Sequence, residues 1–519
     1  MATFVEQLAD FAAGLRDEAV PDTVRLRVRL QLLHMAASID GAAAEGPWLA
    51  VKKMAPRRGA APLKGGGTTS PAMAARVHAS MAASVDRLDH LLGGYAGVGS
   101  IAAALALAKG RTVADVITAA VVGNEIGGRV GAALLLGPHH GGSAGWVPRV
   151  AAAATAGRLL GLDREALADA LAVALVDGGA IPRAVLAGEG RAHALGVCVS
   201  DGVEAARAAS GGLRGQRDIL EAPGGLIESS SWVPLPHAFS GLGTAWLTST
   251  LSFPRWPGPP AFHAALDGIQ EILDRHIKAA DKRLRGDQVS GIKVTLTAPA
   301  LALESWSSRR GLITHTGLAH SLKHAIGALI VDHELGASQL SGERWAERRE
   351  QYGDIARLVK VEHDIDLTME LISSALSTAS PLFSGLTERE FRELASRAEL
   401  RQIGWPDMRL AHVRSIAAHR PDRWLRMVRY ASHDLAQARL DDWQLKLGAG
   451  VEVSTTRGGK WPDRRVTAVG GPSTPLQDII GRVSTSFANG NAERLAHARM
   501  LFEASPVQPM MPHVERLLA

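Results

Sequence analysis

The chain has 519 residues, of which 46% are hydrophobic and 21% are charged, an ordinary globular composition that excludes wholesale disorder. The formal net charge of +5 is small, and the Arg-rich stretches are interleaved with apolar residues or Glu, so we expect no nucleic-acid partner. The single cysteine, Cys198, excludes an intrachain disulfide and a cysteine-based metal cluster, and we expect it to be a packing residue. This composition is compatible with a reducing cytoplasm, so we expect a cytoplasmic protein.

The first 250 residues or so are predicted to be a succession of helices. Apolar residues recur at helical spacing from Phe4 to Leu15, and a second helix opens at Pro21 and ends at Asp40 and Gly41. Further helices are predicted at 101–108, 113–136, 150–160, 165–175 and 197–208. These segments are rich in Ala and punctuated by Gly, which indicates closely packed, buried helices.

Neither a membrane span nor a signal peptide is expected. The longest apolar stretch, 113–136, is interrupted by Asp115, Glu125 and Arg129, whereas a membrane span needs about 20 residues nearly free of charge. The N-terminus carries Glu6 and Asp10 within a helical pattern and no basic segment before an apolar run.

The pattern changes after the segment 254–260, whose four prolines exclude a helix there. Residues 292–297 alternate between apolar and polar side chains, which predicts a half-buried strand, and two further strands are predicted at 358–361 and 451–454. The predicted helices of this half are 264–277, 387–400, 408–418, 423–440, 476–487 and 492–503. Alternating strands and helices predict a mixed α+β unit between about 265 and 470.

The standard catalytic motifs are absent: the sequence has no phosphate-binding loop, dinucleotide fingerprint, nucleophile elbow or H-E-x-x-H. The adjacent His139 and His140 point in different directions and need outside partners, so we expect no metal site.

Polar residues instead cluster beside Gly and Pro breaks. Asp86 and His90 have the i, i+4 spacing that places two side chains on one helix face, and so do His320 and His324. Each could be a cap or a surface residue, but their joint placement beside breaks favours functional loops. The same holds for Arg191 and for the residues His139, His140, His263 and Lys323.

Several segments resemble the MmgE/PrpD family, which holds 2-methylcitrate dehydratase and cis-aconitate decarboxylase. The resemblance lies, in chain order, in Leu8–Ala12, Asp86–His90, Val122–Arg129, Leu160–Asp163, Gly196–Gly212, Phe253–Pro257, His263–Asp267, Ala319–His324 and Gly471–Ile479. It implies a mainly α fold, with a large all-helical domain (1–262 and 472–519) and a smaller α+β lid domain (263–471). The largely helical stretch near 370–448 exceeds what the family usually carries inside its lid, so we expect a helical insertion there. The resemblance also implies a cofactor-free active site between the domains, and a homodimer built on the helical domain.

The resemblance also implies site residues, with departures from the family pattern. Asp86 and His263 match, whereas Arg191 stands at the family lysine, His324 at its tyrosine and His90 at its threonine. We therefore expect catalytic roles for His263, His90, Asp86 and His324, with Asp86 and His90 coupled. The expected substrate-binding residues are Arg191, His139, His140, His320 and Lys323.

Three functions are compatible with these residues. The first is a cofactor-independent lyase or isomerase that uses His acid/base chemistry on a small molecule bearing a carboxylate or carbonyl. The second is a diverged enzyme of specialised metabolism that performs elimination or cyclisation on a bulkier, less charged substrate. The third is a non-catalytic partner subunit, because fold alone does not guarantee activity.

Overall fold

The computed structural model describes residues 2–42, 48–56, 58–137, 145–176, 188–308, 313–383 and 434–519. Within these ranges a large helical part is followed by a small mixed sheet with its own helices, and helices close the chain. The predicted fold class, mainly α with a smaller α+β part, is confirmed.

The helices of the first part include all those that the sequence predicts, although the helices predicted from 101 and 197 begin at Ala96 and Gly190, and those starting at Trp48, Pro71 and Leu226 were not predicted. They are α1 (Phe4–Gly14), α2 (Asp22–Gly41), α3 (Trp48–Lys53), α4 (Pro71–Val85), α5 (Ala96–Leu107), α6 (Val113–Ala133), α7 (Trp146–Leu160), α8 (Arg164–Val176), α9 (Gly190–Ser210) and α10 (Leu226–Ser230). Capping boxes start two of them, because Thr3 and Glu6 satisfy the first N–H groups of α1, and Thr112 and Asp115 do the same for α6. A short antiparallel pair, β1 (Ala61–Pro62) and β2 (Thr68–Thr69), precedes α4.

Glycines allow the backbones of neighbouring helices to come into direct contact. A Cβ on Gly99 of α5 would overlap the carbonyl oxygen of Pro148 in α7. A Cβ on Gly202 of α9 would overlap the carbonyl oxygen of Arg149 in the same helix α7. The Gly and Ala punctuation of the sequence is therefore a requirement of this close helix packing.

The sheet has four strands, β3 (Val289–Leu296), β4 (Val359–His363), β5 (Ala449–Thr455) and β6 (Lys460–Arg465), in the order β4-β3-β5-β6. β3 pairs parallel with β4 and antiparallel with β5, and β5 pairs antiparallel with β6. Ile292, Val294 and Leu296 point into the core as their period-two spacing predicts. The edge strand β6 was not predicted, since its sequence is polar and contains a proline.

The remaining helices are α11 (Pro260–Ala280), α12 (Ala298–Ser308), α13 (Leu322–Asp332), α14 (Gly342–Leu358), α15 (Ile365–Thr378), α16 (Ser380–Phe383), α17 (Leu476–Ala488), α18 (Ala492–Glu503) and α19 (Met511–Leu518). The helices predicted at 387–400 and 408–418 lie outside the described residues. The prediction of a helix at 423–440 is wrong for the residues described there. Leu435–Gln437 is a 3-10 helix capped by Asp434, and it ends at Ala438, where the backbone is extended.

Two hydrophobic clusters organise the described residues. One runs from Val5 to Phe253 and includes apolar side chains of α17, α18 and α19, and the other contains α11, α13 and the sheet. The predicted domain boundaries stay a prediction. Leu435 and Trp443, at the described flank of the predicted insertion, pack into the first cluster. No helix in the described part of the chain has the length and apolar character needed to span a bilayer.

Candidate active site

Asp86 lies at the point where α4 ends and is the centre of the candidate site. Ser70 and Pro71 start this helix, and Asp86 ends it in the left-handed conformation, with φ of 56°. The buried carboxylate of Asp86 contacts two side chains from distant parts of the chain. Nη1 of Arg191 donates to Oδ1, and Nε2 of His320 donates to Oδ2 over 2.6 Å.

Arg191 comes from the first turn of α9, where it is buried beside Asp86. Burial lowers the pKa of Arg191 to about 10, so the guanidinium is still charged at neutral pH. The ion pair therefore compensates one buried charge with the other, as a stable buried pair requires.

His263 reaches the same region through the backbone of Gly258. The ring Nε2 of His263, in the first turn of α11, donates to the Gly258 carbonyl over 3.0 Å. The Gly258 N–H donates to the carbonyl of Asp86 over 2.8 Å. Burial lowers the pKa of His263 to about 3, so its imidazole is neutral at physiological pH.

His320 and His324 do not share one helix face as their spacing predicts. A 3-10 helix, Leu318–His320, ends before α13 begins, so His320 turns inward to Asp86 while His324 lies on α13. His324 Nδ1 lies 2.9 Å from the hydroxyl of Ser321. Burial, followed by the nearby charge of Lys323, lowers the pKa of His324.

The predicted coupling of Asp86 with His90 on one helix face is wrong. The left-handed conformation of Asp86 ends α4, and His90 instead forms an antiparallel bridge with Ser252. The His90 ring packs against Tyr95 at 6.2 Å between centroids, and neither ring nitrogen has a partner at good hydrogen-bond geometry among the described residues. Burial lowers the pKa of His90 to about 4, and its ring is near enough to influence His263 electrostatically.

The sequence did not lead us to predict a chain of buried polar side chains that begins at Asp89, next to His90. Gln31 Nε2 donates to Asp89 over 2.7 Å, Asn124 Nδ2 donates to Gln31 over 2.7 Å, and the Ser100 hydroxyl donates to Asn124 over 2.7 Å. Burial raises the pKa of Asp89 to about 6. Polar residues at core positions of the predicted helices were the available signal, because buried polar groups need partners.

The site thus joins Asp86 and Arg191 of the helical part to His263 and His320 of the second part. His139 and His140 lie outside the described residues. Within the described ranges, no group of three or more His, Cys, Asp or Glu side chains is placed to hold a metal ion. The site contains the imidazole of His320 oriented by Asp86, the neutral imidazole of His263, and the guanidinium of Arg191 paired with Asp86. These groups suit proton transfer on a polar small molecule.

Comparison with known proteins finds a family match in the first part of the chain. Residues 6–232 match the family model described as the MmgE/PrpD N-terminal domain. Asp86 and Arg191 lie inside that match, whereas His263 and His320 lie beyond it.

Two curated relatives are similar to part of the chain. Both are cis-aconitate decarboxylases, one from Aspergillus terreus and one from Aspergillus terreus strain NIH 2624 / FGSC A1156, and each is 25% identical over 266 and 270 residues respectively. The matches cover 48% and 49% of this chain and 54% of each relative, so the chain spans about half the length of the curated relatives it matches.

Proposed function

From the match of residues 6–232 to the family model described as the MmgE/PrpD N-terminal domain, we propose that the protein is a lyase or isomerase. It acts by His acid/base chemistry, without a cofactor, on a small molecule that bears a carboxylate or a carbonyl. The observation that carries the proposal is the buried carboxylate of Asp86 between Arg191 and His320.

Asp86 gives His320 a defined role in this proposal. A carboxylate that accepts the Nε2–H of an imidazole fixes the tautomer and stabilises the positive charge that forms when the ring takes up a proton. His320 is then the acid/base group that carries the transferred proton. This role replaces substrate binding, which the sequence predicted for His320.

The reaction begins with removal of a proton from the carbon next to the substrate's carboxylate or carbonyl. The electron pair left on that carbon forms a double bond as water leaves from the neighbouring carbon, and a protonated His supplies the proton for the leaving hydroxide. A decarboxylation needs no prior loss of a proton from carbon: the C–C bond to the carboxylate breaks, carbon dioxide leaves, and a protonated His gives its proton to the electron pair left on the carbon. Arg191 holds the substrate's carboxylate through the donors that Asp86 does not use, because a guanidinium presents five N–H groups.

The second candidate function is elimination or cyclisation of a bulkier, less charged substrate. The charge of Arg191 is compensated by Asp86, and burial keeps His263 and His90 neutral. Among the described site residues, this balance favours a substrate with fewer carboxylates than a tricarboxylate.

The test is turnover by the full chain, followed by mass analysis. Cis-aconitate and 2-methylcitrate are compared with mono- and dicarboxylates that carry a hydroxyl group or a double bond. We expect Asp86→Asn, which tolerates the left-handed backbone, to lower kcat by at least about 100-fold. The control His276→Gln lies on the same helix as His263 but bonds to the Lys282 carbonyl, and should keep full activity.

Turnover that survives Asp86→Asn would contradict the proposed role of this carboxylate. Absence of turnover for every compound would favour the non-catalytic partner subunit. We also propose a cytoplasmic homodimer, and light scattering of the purified chain measures its oligomeric state. Activity retained after dialysis against a chelator would support the proposed independence from metal ions.

A further inference from the structure

Gly258 joins the three chain segments that carry the site. Its N–H donates to the Asp86 carbonyl over 2.8 Å, and its carbonyl accepts the Nε2–H of His263 over 3.0 Å. Gly258 also lies next to Ala319, the residue before His320. One peptide segment therefore contacts the backbone of Asp86, the ring of His263 and the turn that presents His320.

Only glycine fits this position. The φ of Gly258 is +95°, a conformation that other residues rarely adopt. A Cβ at Gly258 would overlap the Ala319 carbonyl oxygen and lie 3.2 Å from the Ala319 Cβ. A larger residue would have to push the turn that carries His320 away from Asp86.

The hydrogen bond to Gly258 also decides which nitrogen of His263 can react. A carbonyl oxygen only accepts, so Nε2 of His263 must carry the proton. In a neutral imidazole the lone pair is then on Nδ1. Toward a substrate, His263 can accept a hydrogen bond or a proton through Nδ1, but it cannot donate one.

We propose that Gly258 is a positioning residue that locks His263 as a proton acceptor through Nδ1 and holds His320 against Asp86. This inference rests on the proposed function of the site, and it separates the roles of the two histidines. His263 faces a hydroxyl or an acidic C–H of the substrate. When Nδ1 takes that proton, the substrate O–H or C–H bond breaks and its electron pair stays on the substrate. His320, whose positive charge Asp86 stabilises, returns a proton to the leaving group or to the product carbon.

The test combines side-chain NMR with a matched pair of glycine variants. The full chain is labelled with 15N-histidine, and the signals of His263 and His320 are assigned from His263→Gln and His320→Gln. The wild-type His263 ring should show a protonated Nε2 and an unprotonated Nδ1. This pattern should persist from about pH 8 to about pH 5, where an ordinary imidazole titrates.

Gly258→Ala should shift the signals of both histidines, lower kcat more than it changes KM, and alter the pH profile of kcat. The control Gly243→Ala has the same sign of φ, +78°, but an added Cβ would have no described atom other than its chain neighbours within 4 Å, so it should leave all three readouts unchanged. A wild-type His263 protonated on Nδ1, or one that titrates normally, would overturn the proposal even if Gly258→Ala does not fold. Histidine signals unaltered in Gly258→Ala would overturn it as well. The expected tautomer without turnover of any substrate would instead count against the proposed function alone.

Discussion

The buried pair of Glu125 and Arg129 on α6 provides a sharp test of how the helical part is stabilised. Both side chains are fully buried, and Arg129 Nη2 lies 3.7 Å from Glu125 Oε2. The guanidinium of Arg129 also donates to backbone carbonyls of the segment that follows α10, namely those of Ala238, Ser240, Gly241 and Ala245. Glu125 accepts from the Leu247 N–H over 3.0 Å and from the Thr248 N–H over 2.8 Å. The pair therefore fixes the loop 236–250 against the core.

Glu125→Ala removes one charge of this pair and leaves the other buried. Breaking a buried ion pair on one side costs about 3–5 kcal/mol, because the remaining charge is uncompensated. The control is Glu204→Ala, which removes an i, i+3 ion pair with Arg207 whose side chains are both 51% exposed. That change should cost less than about 1 kcal/mol.

The assay is urea unfolding of the full chain, followed by circular dichroism, with the midpoint compared between variants at unchanged slope. If Glu125→Ala shifts the midpoint no more than Glu204→Ala does, the buried pair does not stabilise the fold and the reasoning is refuted.

Three further changes test pH dependence and packing. Burial is the main cause that lowers the pKa of His497 from 6.5 to about 4. The neutral ring therefore stabilises the fold fully above about pH 6.5, and this stabilisation is lost as the pH falls towards 4. His497→Phe should make the decrease of Tm between pH 6.5 and about pH 4 smaller. The pKa of Asp89 is raised from 3.8 to about 6 by burial, so its ionisation destabilises the fold as the pH rises through this window. Asp89→Asn should therefore raise Tm at about pH 7.5 and not near pH 4, and a Tm lowered at both would contradict the buried-carboxyl argument. Gly202→Ala should cost about 1–3 kcal/mol in urea unfolding, since its Cβ would overlap the Arg149 carbonyl oxygen, whereas Gly14→Ala, with nothing within 4 Å, should cost nothing.

The sequence alone determined most of the helices and three of the four strands of the sheet. These elements follow from spacings of two to four residues, which the chain's own geometry converts into one buried face. The prolines at 254–260 and the alternation of apolar and polar residues at 292–297 marked where the helical part ends and the sheet begins. These signals are local too, because they depend only on residues next to each other in the chain.

The partners of Asp86 were decided only by the tertiary structure. The i, i+4 spacing predicted His90, but nothing in the local sequence shows that the helix ends at Asp86 itself. Arg191 and His320 lie 105 and 234 residues further along the chain, so no spacing rule connects them with Asp86. They meet Asp86 where Gly258 contacts the end of α4, the start of α11 and the turn at Ala319. A periodic pattern specifies which face of a helix is buried, whereas only the packing of the two cores specifies which side chains meet across them.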